Sequence, residues 1–365
     1  MSRASYTKSI CVLILLCLLA ACSQPVAPQA TTTKPAPAPQ TDLTGIKTYL
    51  IEKTTTLGEN TAALRQLSDH YYTLAKDANF DYTALWQNKA EDVKATVSEA
   101  REVWMKASPL YEQMEGIVAG TPTLADYDVI LDAGASGTED PENAVPFDLT
   151  LPDGRVLPKP GNLFGVLEST LWGTFADYTA QGVQADFDNN GTLDFGDVLP
   201  EANVFKAAAE TLDSYAKELA SAADEWQPTT AEAFSALVVM VPTMNEYFGS
   251  WRDSRFVAGA ASTQRDFVAI SRLADIQDIL GGLQVVYSEV ESLVATVDKP
   301  QSEQIATDLQ DLKAFVANIY QQENDGKRFS PEEADLLGSE AQNRATAITG
   351  QVSQVAAKLN IDVQE

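Results

Sequence analysis

The residue types and spacing with the most definite chemistry occur in Asp186-Phe187-Asp188-Asn189-Asn190-Gly191-Thr192-Leu193-Asp194-Phe195-Gly196-Asp197. Counting from Asp186, oxygen-bearing side chains fall at positions 1, 3, 5, 9 and 12, supplied by Asp186, Asp188, Asn190, Asp194 and Asp197. Gly191 occupies the sixth position, where a calcium-binding loop must turn sharply. Thr192 can offer its backbone carbonyl, and Leu193 can point toward a core. Hard cations such as Ca²⁺ take about six to eight oxygens, and this spacing wraps oxygens around one point. The last ligand is the shorter Asp197 where Glu is usual, which alters its reach. Gly182 and Pro200 bracket the loop and argue against a regular helix-loop-helix pair. The competing reading is an acidic surface turn. An isolated calcium site outside the cytoplasm would staple the fold rather than signal.

A second carboxylate group depends on helices. In Trp104-Met105-Lys106-Ala107-Ser108-Pro109-Leu110-Tyr111-Glu112-Gln113-Met114-Glu115, the two glutamates lie one turn apart on one face. Glu168 lies in Phe164-Gly165-Val166-Leu167-Glu168-Ser169-Thr170-Leu171-Trp172-Gly173, on a separate predicted helix. If those helices are neighbours, Glu112, Glu115 and Glu168 converge in a bundle core, where metal sites are commonly built. From spacing alone, solvated or ion-paired acids are the more ordinary outcome.

The elements that must position these groups read as helices. Ile46, Leu50, Leu57, Leu64, Tyr71 and Leu74 recur at three- and four-residue steps after a candidate N-cap at Asp42. A second stripe runs through Trp86, Val93, Val97, Trp104, Tyr111 and Met114, with Pro109 placed to kink it. Further helices are expected at about 162–180, 203–225, 229–257 (with Pro242 inside), 263–297, 301–323 and 330–358. Strand-type alternation is nearly absent, so the expected fold is an all-α bundle of two packed helical halves, about 43–180 and 201–358. Two stretches interrupt it, 119–161 and 181–200; in the first, 149–157 reads as a hairpin turning at Asp153-Gly154.

Composition narrows the chemistry further. The 365 residues carry 25 Lys+Arg against 52 Asp+Glu, a net charge of −27, with one His and three Cys. Such an acid excess excludes nucleic acid as an expected partner, because nothing offsets phosphate repulsion. One imidazole cannot build a His-rich zinc site. No Gly-x-Ser-x-Gly and no His-Glu-x-x-His motif occurs.

At the N-terminus, Arg3 and Lys8 precede an apolar run from Ile10 to Leu19, too short to span a membrane. The run ends in Leu19-Ala20-Ala21-Cys22, which resembles the lipobox of bacterial lipoproteins. That resemblance implies a signal peptide over 1–21, cleavage before Cys22, lipidation of Cys22 and membrane anchoring through it. Cys11 and Cys17 would leave with the signal. The Pro/Ala/Thr-rich segment 22–42 then reads as a tether holding the domain at the cell envelope, on its periplasmic or outer-surface side.

Three segments in order resemble the imelysin-like family, especially its EfeM/EfeO-type periplasmic iron-uptake branch. Pro109-Leu110-Tyr111-Glu112-Gln113-Met114-Glu115 is similar to that family's Pro-Tyr-Glu-x-Ile-Glu run. Leu124-Ala125-Asp126-Tyr127-Asp128-Val129-Ile130-Leu131-Asp132-Ala133 is similar to its Leu-Asp-x-x-Ile-Asp-Ala stretch, and 167–173 to its Ile-Glu-x-x-Leu-Trp-Gly signature. The resemblance implies one helical domain over about 43–358, a cation site at Glu112, Glu115 and Glu168, iron as cargo, and an iron permease as partner. One departure matters: the family's His-x-x-Glu signature has Gly165 at the His position. The only His, His70, follows Asp69 on the first helix and reads as a surface or interhelical residue. Loss of the imidazole leaves oxygen ligands alone, which suit a hard cation, ferric iron included. The expected function is a non-catalytic envelope lipoprotein that binds or delivers a metal cation, with a structural calcium site. A polysaccharide-binding or other ligand-binding module is the alternative, and a metallopeptidase is the least expected.

Overall fold

Spacing of apolar residues dictates most of the architecture. The computed structural model describes residues 41–364 apart from Gln184 and Asp188. The expected signal segment, the lipidation site Cys22, most of the tether and the loop position Asp188 lie outside the described residues. Helix α1 (Thr44–Asp77) buries Ile46, Leu50, Leu57, Leu64 and Tyr71 on one stripe. It is entered through Leu43 rather than Asp42, whose carboxylate instead accepts from the Thr44 N–H at 3.0 Å. Helix α2 (Tyr82–Val118) starts on an N-cap from Asp81 and runs through Pro109. Its break from helical dihedrals falls at Lys89 (φ −138°, ψ 23°), not at the proline.

The long connection after α2 is more ordered than its composition suggests. It holds a short helix α3 (Ala125–Asp128) that widens into a π-turn over Val129–Ala133. The hairpin is present, with β1 (Asp148–Thr150) antiparallel to β2 (Val156–Pro158) and Leu149 opposite Leu157. Helix α4 (Leu163–Trp172) is shorter than expected because Gly173 ends it at φ 78°. A Cβ at Gly173 would also lie 2.6 Å from Val198, so only glycine fits there.

Helix α5 (Ala202–Glu225) follows the acidic loop. Pro242 divides the next expected helix into α6 (Thr230–Met240) and α7 (Met244–Asp253), joined by a 3₁₀ turn. Helix α8 (Arg272–Val297) begins nine residues later than the periodicity predicts, and 254–271 is irregular. Helices α9 (Lys299–Asn324) and α10 (Pro331–Leu359) complete the chain, the last on a Ser330/Glu333 capping box.

Helix α1 packs along α2 and α5, α8 along α9 and α2, and α10 along α7 and α9. The fold is all-α, and the α2–α8 contact joins the helices into one core. No described helix is long and apolar enough to cross a membrane. Trp104, Trp226 and Trp251 are buried, and Trp86 and Trp172 pack against the core, so most tryptophan surface serves packing.

Candidate metal centre

The α2–α8 junction is where polar groups enter the core. The last turns of α2 are buried almost all round, from Tyr111 to Val118, and they carry Glu112 (1% exposed) and Glu115 (4% exposed) inward. The π-turn adds a residue to the backbone ring, closed by Gly134 N–H to Val129 O at 3.0 Å. Asp128 and Asp132 flank or lie within this widened segment, and both are buried. One oxygen each from Glu112, Glu115 and Asp132 lies within 4.8 Å of the others. Three buried carboxylates so placed can surround a cation or must take up protons.

Their partners are few. The Arg272 Nη1 donates to Glu112 Oε2 at 3.1 Å and to Asp275 Oδ2 at 3.3 Å. Its guanidinium lies 4.6 Å from the Tyr247 ring centroid and 4.1 Å from that of Phe267. The Tyr247 hydroxyl donates to Glu115 Oε1 at 2.7 Å, and that of Tyr111 to Asp128 Oδ1 at 2.8 Å. Glu115 Oε2 is buried without a partner. Burial, then Asp275 and Asp132, pushes the Glu112 carboxyl well above its ordinary range, against the pull of Arg272. Burial likewise raises Asp132 well above its usual value and Asp128 and Asp275 to about 7. One guanidinium thus faces five buried carboxylates, a surplus that a bound cation would neutralise.

Glu168 sits apart from this trio. Its Oε1 accepts from the backbone N–H groups of Val268 (2.9 Å) and Ala269 (2.7 Å), clamping the irregular segment before α8. Burial raises its carboxyl to about 8 despite those donors. A small void lined by Gly165, Asp132 and Asp266 adjoins it. A Cβ at Gly165 would lie 3.0 Å from Asp266 Oδ2, so Asp266 fills the space that a side chain at this position would need. Asn162 Oδ1 accepts from the Gly165 N–H at 2.6 Å and caps α4. His70 is exposed on α1, away from all of these groups.

Glu115, Asp132 and Arg272 open onto a cleft of about 530 Å³ whose wall also includes Asp128, Glu246, Gln264 and Asp266. Of the three expected helical carboxylates, the structure brings Glu112 and Glu115 together and leaves Glu168 apart. The sequence alone did not single out Asp132, Asp128, Arg272 or Asp275 as site residues; the first two lie four apart in the acidic segment after α2, and the last two on the first turn of α8.

The acidic loop lies elsewhere. Asp186 accepts from the N–H groups of Asn190 (3.2 Å) and Gly191 (2.9 Å), and Asn190 Oδ1 from that of Thr192 (2.7 Å). Asp197 reaches back to the N–H groups of Phe187 (2.9 Å) and Asp194 (3.0 Å), drawing the two ends together. A Thr179–Pro200 bridge closes the base in place of flanking helices. Leu193 is 48% exposed instead of pointing into the core. Arg101 ties the loop to α2 and α4 by donating to Gly196 O and Leu171 O while lying over Phe187.

Comparison with known families matches Imelysin (Peptidase_M75) over residues 53–355. A match of this extent, over most of an all-α chain with its acidic centre inside the matched region, makes this a member of the imelysin family. Comparison with curated proteins returns no match.

Proposed function

We propose that the protein is a non-catalytic, lipid-anchored cell-envelope member of the imelysin family that binds a hard metal cation, with iron as the cargo suggested by resemblance to the EfeM/EfeO-type branch. The observation that carries this reading is the buried Glu112–Glu115–Asp132 trio, in which Glu115 Oε2 lacks a partner and a single guanidinium opposes the surplus charge. An oxygen-only donor set favours Fe³⁺, Fe²⁺, Mn²⁺ or Ca²⁺ over softer ions. We give peptide hydrolysis less weight, since the lone imidazole, His70, does not line the cleft and no His-Glu-x-x-His motif occurs. Anchoring through Cys22 would keep the cleft at the envelope, where a membrane permease could take the cargo. The loop at 186–197 is the companion proposal, a calcium staple between α4 and α5.

Isothermal titration of wild type with anaerobic Fe²⁺, Mn²⁺ and Ca²⁺ tests the central site. The variant carrying Glu112→Gln, Glu115→Gln and Asp132→Asn keeps the side-chain shapes and removes the charges. One binding event should disappear in the variant for the preferred ion. Equal binding by both proteins would refute the site.

A further inference from the structure

The cation reading accounts for three carboxylates, but the cleft beside them is larger and more varied than one ion requires. Six waters around an ion would fill roughly 180 Å³ at liquid density, against a cleft of about 530 Å³. Among the described residues, four buried side-chain atoms lack hydrogen-bond partners: Glu115 Oε2, Asn203 Oδ1, Gln264 Oε1 and Arg272 Nε. Three of the four belong to residues lining this cleft. These three are of different kinds. Glu115 Oε2 calls for a cation or donor, whereas Arg272 Nε can only donate and calls for an acceptor. Gln264 donates through its Nε2 to Ser250 Oγ at 3.3 Å and has its carbonyl left over. A bare cation would satisfy Glu115 and repel Arg272. A bare anion would meet Arg272 but would leave the buried Glu115 Oε2 facing a further acceptor with no donor or cation between them. The other lining guanidinium, Arg265, is already paired with Glu139 at 2.7 Å.

We propose that the cleft receives its cation as a complex with a small hydroxycarboxylate, the metal held by Glu112, Glu115 and Asp132, a carboxylate group by Arg272 and a hydroxyl by Gln264. This inference rests on the cation reading above and names the form in which the cargo arrives. The metal bridges two anionic partners that would otherwise exclude each other, so the organic acid enters only with the ion. A hydroxyl suits Gln264 because it both donates and accepts, whichever way the amide is turned.

Equilibrium dialysis of the full chain against radiolabelled citrate, with and without ferric iron, tests the proposal. Iron and citrate should be retained together near one to one, and citrate without iron at least tenfold more weakly. Gln264→Leu should cut citrate retention about tenfold while leaving ferrous iron binding in the absence of citrate unchanged. Gln264→Glu, which keeps the shape and adds a charge, should lower it at least as far. Iron retained with citrate left in the dialysate would overturn the inference and leave the cation reading standing. Citrate held equally well without iron would overturn it too. Failure to retain iron in any form, ferrous iron alone included, would overturn the reading beneath it.

Discussion

Replacing Glu168 with Gln separates two opposed effects on one buried carboxyl. Burial disfavours its charge, while the amides of Val268 and Ala269 favour it. Burial prevails, raising the carboxyl from 4.5 to about 8. An acid whose folded-state pKa is raised contributes stability in full below its unfolded value, and that contribution fades as pH rises through the folded value. The window is therefore pH 4.5 to about 8. At roughly 1.4 kcal/mol per unit, wild type should lose about 3 kcal/mol from this group by pH 7 and about 5 kcal/mol by pH 9. Glutamine stays neutral in both states, and its carbonyl can still accept from both amides. Urea unfolding of the two proteins at several pH values, with chelator present, isolates Glu168 because the other buried acids are common to both. The difference in unfolding free energy should move in favour of Glu168→Gln as pH rises. Parallel profiles from pH 5 to 8 would refute the reasoning and mean that the two amide donors balance burial.

Two further perturbations probe the parts around the site. Gly165→His should cost about 1–3 kcal/mol through overpacking, since Asp266 fills the space beside Gly165; adding Asp266→Ala should restore much of that stability and strengthen Zn²⁺ binding at least tenfold, and a single variant as stable as wild type in urea would show that Asp266 can yield. Calcium at a hundred times its dissociation constant should stabilise the chain by about 2.7 kcal/mol if it occupies 186–197, seen as a melting temperature several degrees higher than in chelator; Asp197→Ala should abolish that calcium-dependent increment, and an identical melting temperature for wild type with calcium or chelator would exclude the loop as a site.

The bundle was legible because its information is local. Three- and four-residue apolar steps define α1, α2, α9 and α10, Pro242 divides α6 from α7, and Asp153-Gly154 turns the hairpin where expected. The glutamate pair on α2 was legible for the same reason, since one turn of helix fixes its face. What escaped depends on long-range contacts. Asp132 joins the pair through a π-turn that no residue spacing announces, and Arg272 reaches Glu112 from 160 positions away. The irregular 263–271 stretch has enough apolar residues for a helix, yet Phe267 adopts φ 53° and Glu168 holds its neighbours by their backbone. Pro109 illustrates the opposite error: it carries a local signal for a kink, and the packed helix runs through it.

Glu168 serves here as a positioning residue, and the absence of a side chain at Gly165 leaves room for its neighbours. With no side chain at 165, Asp266 Oδ2 comes to 3.0 Å from the place of a Cβ, and Asn162 caps α4. Glu168 then clamps Val268 and Ala269 rather than joining the trio of carboxylates. That clamp holds the segment carrying Phe267, whose ring lies 4.1 Å from the Arg272 guanidinium. Arg272 in turn pairs with Glu112 at 3.1 Å. A chain of contacts thus runs from helix α4 to the 266–269 backbone, to Arg272 and on to α2. If Glu112, Glu115 and Asp132 hold a cation as proposed, a Glu168 variant should change its affinity by displacing Arg272, and an unchanged affinity on titration of that variant would refute the link.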